Sequence, residues 1–170
     1  MIKLLILYEL NNTPLTMYGI SRQLKNQFAV LMKPSIGTLQ PALKNLEKNG
    51  FVSSQKYMSK GGRPSICYAI TNSGKLELNK ELISPLTENP IQFLVNARIR
   101  LCCSDVLNSS DYLTLLRLLK RRSESLMLDT KKLMESDKIK NNSTMVFDNL
   151  ACEYRNFLSL LEGLEHACNG

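Results

Sequence analysis

Residues 34–50 limit what this chain can fold into more than any other stretch. Leu39, Ala42, Leu43 and Leu46 recur at steps of three and four, so a helix gathers them on one side. At about 100° per residue, Gly37, Pro41, Lys44 and Lys48 fall near the opposite side, flanked by Thr38, Gln40 and Asn45. Ser35 stands where a side chain caps the start, and Asn49-Gly50 offers a left-handed exit. The apolar back asks for a core, while a front of small, amide and Lys side chains suits a DNA major groove. An ordinary amphipathic surface helix has the same look, and the residues around it separate the two readings. Pro41 lies about two turns from Ser35 and removes a backbone hydrogen bond, a change that kinks a helix near its start.

After Gly50 the pattern changes. Residues 51–57 and 65–70 are strand-like, rich in β-branched and aromatic side chains, and residues 58–64 between them form a turn that carries Lys60, Gly61, Gly62 and Arg63. Upstream, residues 2–10 read as a helix apolar on most faces, buried between modules, and residues 11–15 as a turn-rich connection. Thr16 caps a second helix over residues 17–28, with Ile20, Leu24 and either Gln27 or Phe28 facing inward. Three helices followed by a hairpin with a basic tip is the order of a winged helix. There the third helix enters the major groove and the tip reaches the backbone or the minor groove. Thr38, Gln40, Lys44 and Asn45 would then face bases or phosphates, on a helix shaped by Ser35 and Pro41. Lys33, Lys48, Lys60 and Arg63 would hold backbone, with Gly61 and Gly62 shaping the turn, although a solvated turn also explains Lys60 and Arg63.

Charge supports the nucleic-acid reading. The formal charge is +7 with a pI near 9.2. Residues 1–82 hold eleven Lys/Arg against Glu9, Glu47, Glu77 and Glu81, whereas residues 83–170 balance eleven against eleven. All the excess lies in the first half, as in a nucleic-acid module joined to a neutral packing module.

Thr71 caps a fourth helix reaching about residue 83, and residues 84–90 form a Pro-containing boundary. The division is thus 1–83, a DNA-binding module, and 84–170, a helical one. The second module reads as a helix over 91–103, a connection over 104–108, and a long helix over 111–136 capped by Ser109 or Ser110. A break at Asn141-Asn142 precedes a last helix capped by Ser143. In that helix Phe147, Leu150, Tyr154, Phe157, Leu161 and Leu164 alternate steps of three and four, the spacing of a coiled-coil seam. The seam can pack within one chain, against the long helix, or across a two-fold axis. The dimer is favoured because a lone module makes few base contacts and two copies read two half-sites.

Enzyme chemistry is not expected. The one histidine, His166, sits beside Glu165 near the end of a helix, the five cysteines show no CxxC pair, and no cluster has metal-ligand spacing. Gly61-Gly62 lies in a hairpin turn rather than between a strand and a helix, so it is no phosphate loop. No cofactor is expected. The apolar start is interrupted by Glu9 and followed by no cleavage site, and no run approaches membrane-spanning length, which implies a cytoplasmic protein. A cavity near Phe93, Leu101 and the long helix would be the place for a small-molecule effector.

Three pieces resemble the PadR family of bacterial transcriptional regulators: Met17-Tyr18-Gly19-Ile20, the run from Gly37 to Val52, and the wing with Gly61-Gly62-Arg63-Pro64, Tyr68-Ala69-Ile70-Thr71 and Gly74. The resemblance implies a fold that is mostly α with a small β-hairpin, a winged helix-turn-helix domain followed by an all-helical dimerisation domain. It also implies a homodimer that binds double-stranded DNA; a regulator, taken as a repressor, acting on a two-fold operator is the function expected. It marks Pro41 as an ordinary feature of the family. Two positions depart from the pattern: Gln40 stands where the family usually has tyrosine, and Met17 precedes Tyr18 where histidine is frequent. A winged-helix adaptor that binds protein instead of DNA is the alternative.

Overall fold

The computed structural model describes residues 1–58, 62, 64–135 and 141–169. They fall into two units, one made of Met1–Ser84 with Leu94–Val106, the other of Pro85–Phe93 with Leu107–Gly170.

In the first unit the elements run α1 (Ile2–Asn12), β1 (Leu15–Thr16), α2 (Met17–Phe28), α3 (Ile36–Lys48), β2 (Val52–Met58), β3 (Pro64–Ile70) and α4 (Asn72–Ile83). Helix α1 is the centre of the core. Every residue from Leu4 to Leu10 is buried, and α2, α3, α4 and β3 of the same unit all pack on it. An all-round apolar helix is what a fully surrounded position requires. Leu39, Leu43 and Leu46 of α3 are likewise buried, and Tyr8 meets Phe28 edge-to-face at 6.4 Å. At the other end of α1, Lys3 binds Glu77 and, at 3.0 Å, Glu81, both on α4.

The sheet is antiparallel with strand order β1-β3-β2. Two-residue β1 replaces part of the turn expected over residues 11–15: Leu15 pairs with Tyr68 and Thr16 with Cys67. No alternation marks so short a strand, and only its partner β3 makes it one. Residues 94–106 lie beyond the division at residues 83 and 84, yet they cluster with the first unit. There the buried Arg100 guanidinium donates to the carbonyls of Leu82 (3.1 Å) and Ser84 (2.6 Å).

The second unit is a helical hairpin of α6 (Ser109–Met134) and α7 (Asn141–Asn169), preceded by the first turn of α5 (Pro90–Cys102). Lys120 in the first half of α6 lies 3.9 Å from Glu162 and 3.8 Å from Glu165 near the end of α7, as antiparallel helices require. Leu115, Leu116, Leu119 and Leu126 of α6 are buried, as are Ala151, Tyr154, Phe157 and Leu161 of α7. Phe157 meets Phe93 at 6.2 Å. Ser123 and Thr130 sit in the same buried stripe with their hydroxyls satisfied, because each donates to the carbonyl four residues back, at 2.8 and 2.7 Å. The cap of α6 is Asn108, one residue before the expected serines. Its Oδ1 accepts from Asp111 N (2.9 Å) while its Nδ2 donates to the Asp111 carboxylate (2.8 Å). Helix α7 begins at Asn141, so Asn141-Asn142 opens the helix rather than breaking the chain before it.

Candidate nucleic-acid interface

Both ends of α3 are held by local bonds that its sequence encodes. Ser35 Oγ accepts from Thr38 N at 3.2 Å. At the exit Gly50 takes φ +71°, Gly50 N donates to Glu47 O (2.9 Å) and Phe51 N to Leu46 O (3.0 Å), the paired bonds of a Schellman motif. The exit is then fastened to the start of α4. Thr71 Oγ1 donates to Gly50 O (2.7 Å) and accepts from Gly74 N (3.0 Å), Ser73 Oγ donates to Gly50 O (2.9 Å), and Thr71 N donates to Phe51 O (3.0 Å). Thr71, the cap of α4, and Ser73 in its first turn thereby fix where α3 ends.

The outward side of α3 carries Thr38, Gln40, Pro41, Lys44, Asn45 and Lys48, all exposed, and Lys33 and Ser35 just before it are exposed too. Two of the polar groups are partly engaged. The Thr38 hydroxyl lies 2.9 Å from Ser35 Oγ, and Asn45 Oδ1 accepts from Asn49 Nδ2 at 3.1 Å. That second bond occupies the Asn45 amide oxygen. Gln40 and Lys44 project without such ties among the described residues. Gly62 is exposed with φ +71°, the conformation its turn needs. Lys60, Gly61 and Arg63 lie outside the described residues.

Helix α2 adds Tyr18, from the motif named above, and the polar groups Arg22, Lys25 and Asn26, which the sequence pattern did not single out. Tyr18 is 73% exposed. With Ser21, Arg22, Lys25, Asn26 and Ile36 it lines a shallow hollow of about 310 Å³ where α2 meets the start of α3. Charged positions off an apolar face look like any solvated surface, so only their place beside α3 distinguishes them.

The acids of residues 1–82 are arranged to leave this side positive. Glu77 and Glu81 neutralise Lys3 on α1. Glu9 is buried, and desolvation pushes its carboxyl up to about 7. Glu47, the one acid on α3, accepts from the Ser54 hydroxyl of β2, and burial, then the same carboxylate, raises the Tyr68 phenol. Glu47 therefore works as a brace between α3 and the wing. Arg22 and Lys25 on α2, Lys33 before α3, Lys44 and Lys48 on α3 and Lys56 on β2 are exposed.

The second set of expected site residues is divided by the fold. Tyr154, Phe157 and Leu161 are buried within the chain, in the hairpin with α6, while Phe147, Leu150 and Leu164 keep part of their surface. The middle of the seam is occupied by the chain itself. Apolar groups that stay open include Met145 (77%), Val146 (66%) and Leu160 on α7 and Leu128 and Leu133 on α6. Among the described residues no cluster of His, Cys, Asp and Glu has the makings of a metal site, and no helix is long and apolar enough to cross a membrane.

Three helices, a wing and a positive surface on α2 and α3 define a winged helix-turn-helix module. Residues 6–80 match the transcriptional regulator PadR-like family. No curated protein matches the chain. Among solved structures, Bacillus subtilis PadR in complex with operator DNA is 21% identical, with 98% of each chain covered and a TM-score of 0.47. The protein smu.1604c from Streptococcus mutans UA159 is 25% identical over 96% of this chain and 98% of its own, at a TM-score of 0.47. A PadR family transcription regulator from Clostridium difficile R20291 is 28% identical over 47% of this chain and 81% of its own, at 0.43.

Proposed function

We propose that the chain is a DNA-binding transcription regulator of the cytoplasm that acts as a homodimer on a two-fold operator and represses by occupying it. The observation that carries this reading is the exposed set Arg22, Lys25, Lys33, Lys44, Lys48 and Lys56 around a capped, amide-bearing α3, with every acid of residues 1–82 paired, buried or braced elsewhere. Gln40 and Asn45 are suited to base edges, and the cations to phosphates.

Fluorescence anisotropy with duplexes selected from a random pool tests it. Affinity should fall steeply with salt, and replacing Lys33 and Lys48 by alanine should flatten the log–log slope by about two units for each protomer bound. An unchanged slope would remove those two from the backbone contacts. Absence of binding to any duplex at low salt would sink the regulator reading. Repeating the titration with candidate small molecules reads an effector as a rise in the midpoint.

For the dimer, the open apolar groups at the ends of α6 and α7 are the surface to disturb. The double substitution Met145→Glu and Val146→Glu in the full chain should convert a dimer to a monomer in sedimentation velocity. A dimer that persists moves the interface elsewhere.

A further inference from the structure

The wing has two unlike faces, and one is apolar farther out than the core can use. Antiparallel register pairs Val52 with Ile70, Ser54 with Tyr68, Lys56 with Ile66 and Met58 with Pro64, so these residues share one face of the sheet. The inner rungs are covered: Val52 is buried, and Ser54 is bonded to Glu47 of α3. The outer rungs are not. Met58 is 66% and Ile66 41% exposed, and Pro64 and Lys56 are exposed as well. The opposite face at the same distance pairs Gln55 with Cys67 and Tyr57 with Ser65, and there Gln55 is exposed while Ser65 and Cys67 keep only part of their surface. Core packing thus leaves Met58 and Ile66 without a purpose within the unit.

We infer that Met58 and Ile66, with Pro64 at the strand start, form an apolar wedge that seats in the DNA minor groove beside the half-site under α3. This rests on the DNA-binding reading above and adds a specificity element to it. Three features favour duplex DNA as the occupant. The face is continuous with α3 through the Glu47–Ser54 bond. Lys56 shares a rung with Ile66, so the apolar groups arrive beside a cation suited to phosphate. Short apolar side chains of this kind are the ones that press between base steps and open the minor groove. Such a wedge reads deformability: flexible pyrimidine–purine steps yield to it and stiff A-tracts resist.

The test uses the full-length protein and its selected duplex, with the steps flanking each half-site changed from TA or CA to an A-tract. The intact protein should prefer the flexible flanks by about tenfold, and Met58→Ser with Ile66→Ser should cut that preference to about twofold or less while leaving the salt slope unchanged, since no charge is removed. Met58→Leu should keep the preference, which separates loss of the wedge from loss of folding, and circular dichroism of the double variant checks the latter. An equal affinity for both flanks in the intact protein, or a preference that survives in the double variant, overturns the wedge while leaving DNA binding in place. Loss of the dimer in the double variant would assign the face to a second copy and overturn it too. Failure to bind any duplex sinks the regulator reading and the wedge together.

Discussion

Replacing Gly74 by alanine should cost the first unit about 3 kcal/mol or more, lowering its melting temperature by roughly 15 °C. A Cβ at this position would lie 2.0 Å from the carbonyl oxygen of Phe51 and 2.7 Å from Ile70 Cγ1. The first of these is backbone, so no rotamer change relieves it. Phe51 O is also the acceptor for Thr71 N, and the neighbouring Gly50 O takes the hydroxyls of Thr71 and Ser73. Any shift that admits the methyl therefore loosens the fastening between the exit of α3 and α4, and DNA affinity should fall with stability. Gly50→Ala is the useful contrast. No atom lies within 4 Å of its added Cβ, and the left-handed φ of +71° alone is strained, which costs about 1–2 kcal/mol. Thermal and urea unfolding followed by circular dichroism rank the two. A Gly74→Ala protein as stable as the Gly50→Ala one would show that the contact at Phe51 relaxes cheaply.

The second large effect is a pH dependence centred on Glu9. Its side chain is 3% exposed, and Oε1 has no hydrogen-bond partner among the described residues. Desolvation raises the folded-state pKa from 4.5 to about 7. Around it, burial pushes the Tyr8 hydroxyl up to about 12, with help from Asp105, and burial likewise raises the Cys103 thiol. Below pH 4.5 both folded and unfolded chains carry a protonated Glu9, and folding loses nothing. Between about pH 4.5 and 7 the unfolded chain ionises first, so stability falls as pH rises, and it levels off above 7. The loss is on the order of 3 kcal/mol. Glu9→Gln should remove that slope, making the variant more stable than the parent at pH 8 and nearly equal to it at pH 4. Parallel pH profiles for the two proteins would show that Glu9 titrates alike in both states.

Much of the first unit is written in short-range chemistry. Thr16, Ser35 and Thr71 each accept from the N–H three residues on, as their positions before apolar-periodic runs require. The same holds for the Gly50 exit and for the single apolar side of α3. The exposed cations of α2 were not legible, because Arg22 and Lys25 belong to no pattern until α2 is set against α3. The wing tip residues Lys60, Gly61 and Arg63 remain readings of sequence alone.

By itself, then, the sequence determined the helices of the first unit, their caps, the hairpin and hence a winged helix, because caps and periodicity depend on partners within a few residues. It also determined the confinement of charge to that half. Tertiary structure decided the rest. Whether the seam of α7 meets its own chain depended on α6 folding back along it, and Tyr154, Phe157 and Leu161 are buried there. Glu9 looked like a polar interruption of an apolar start and became a buried carboxyl only because helices and a strand from across the unit close around α1. Gly74 gained its importance from Phe51, twenty-three positions earlier in the chain. Contacts at such separations are made by the fold, and no local pattern announces them.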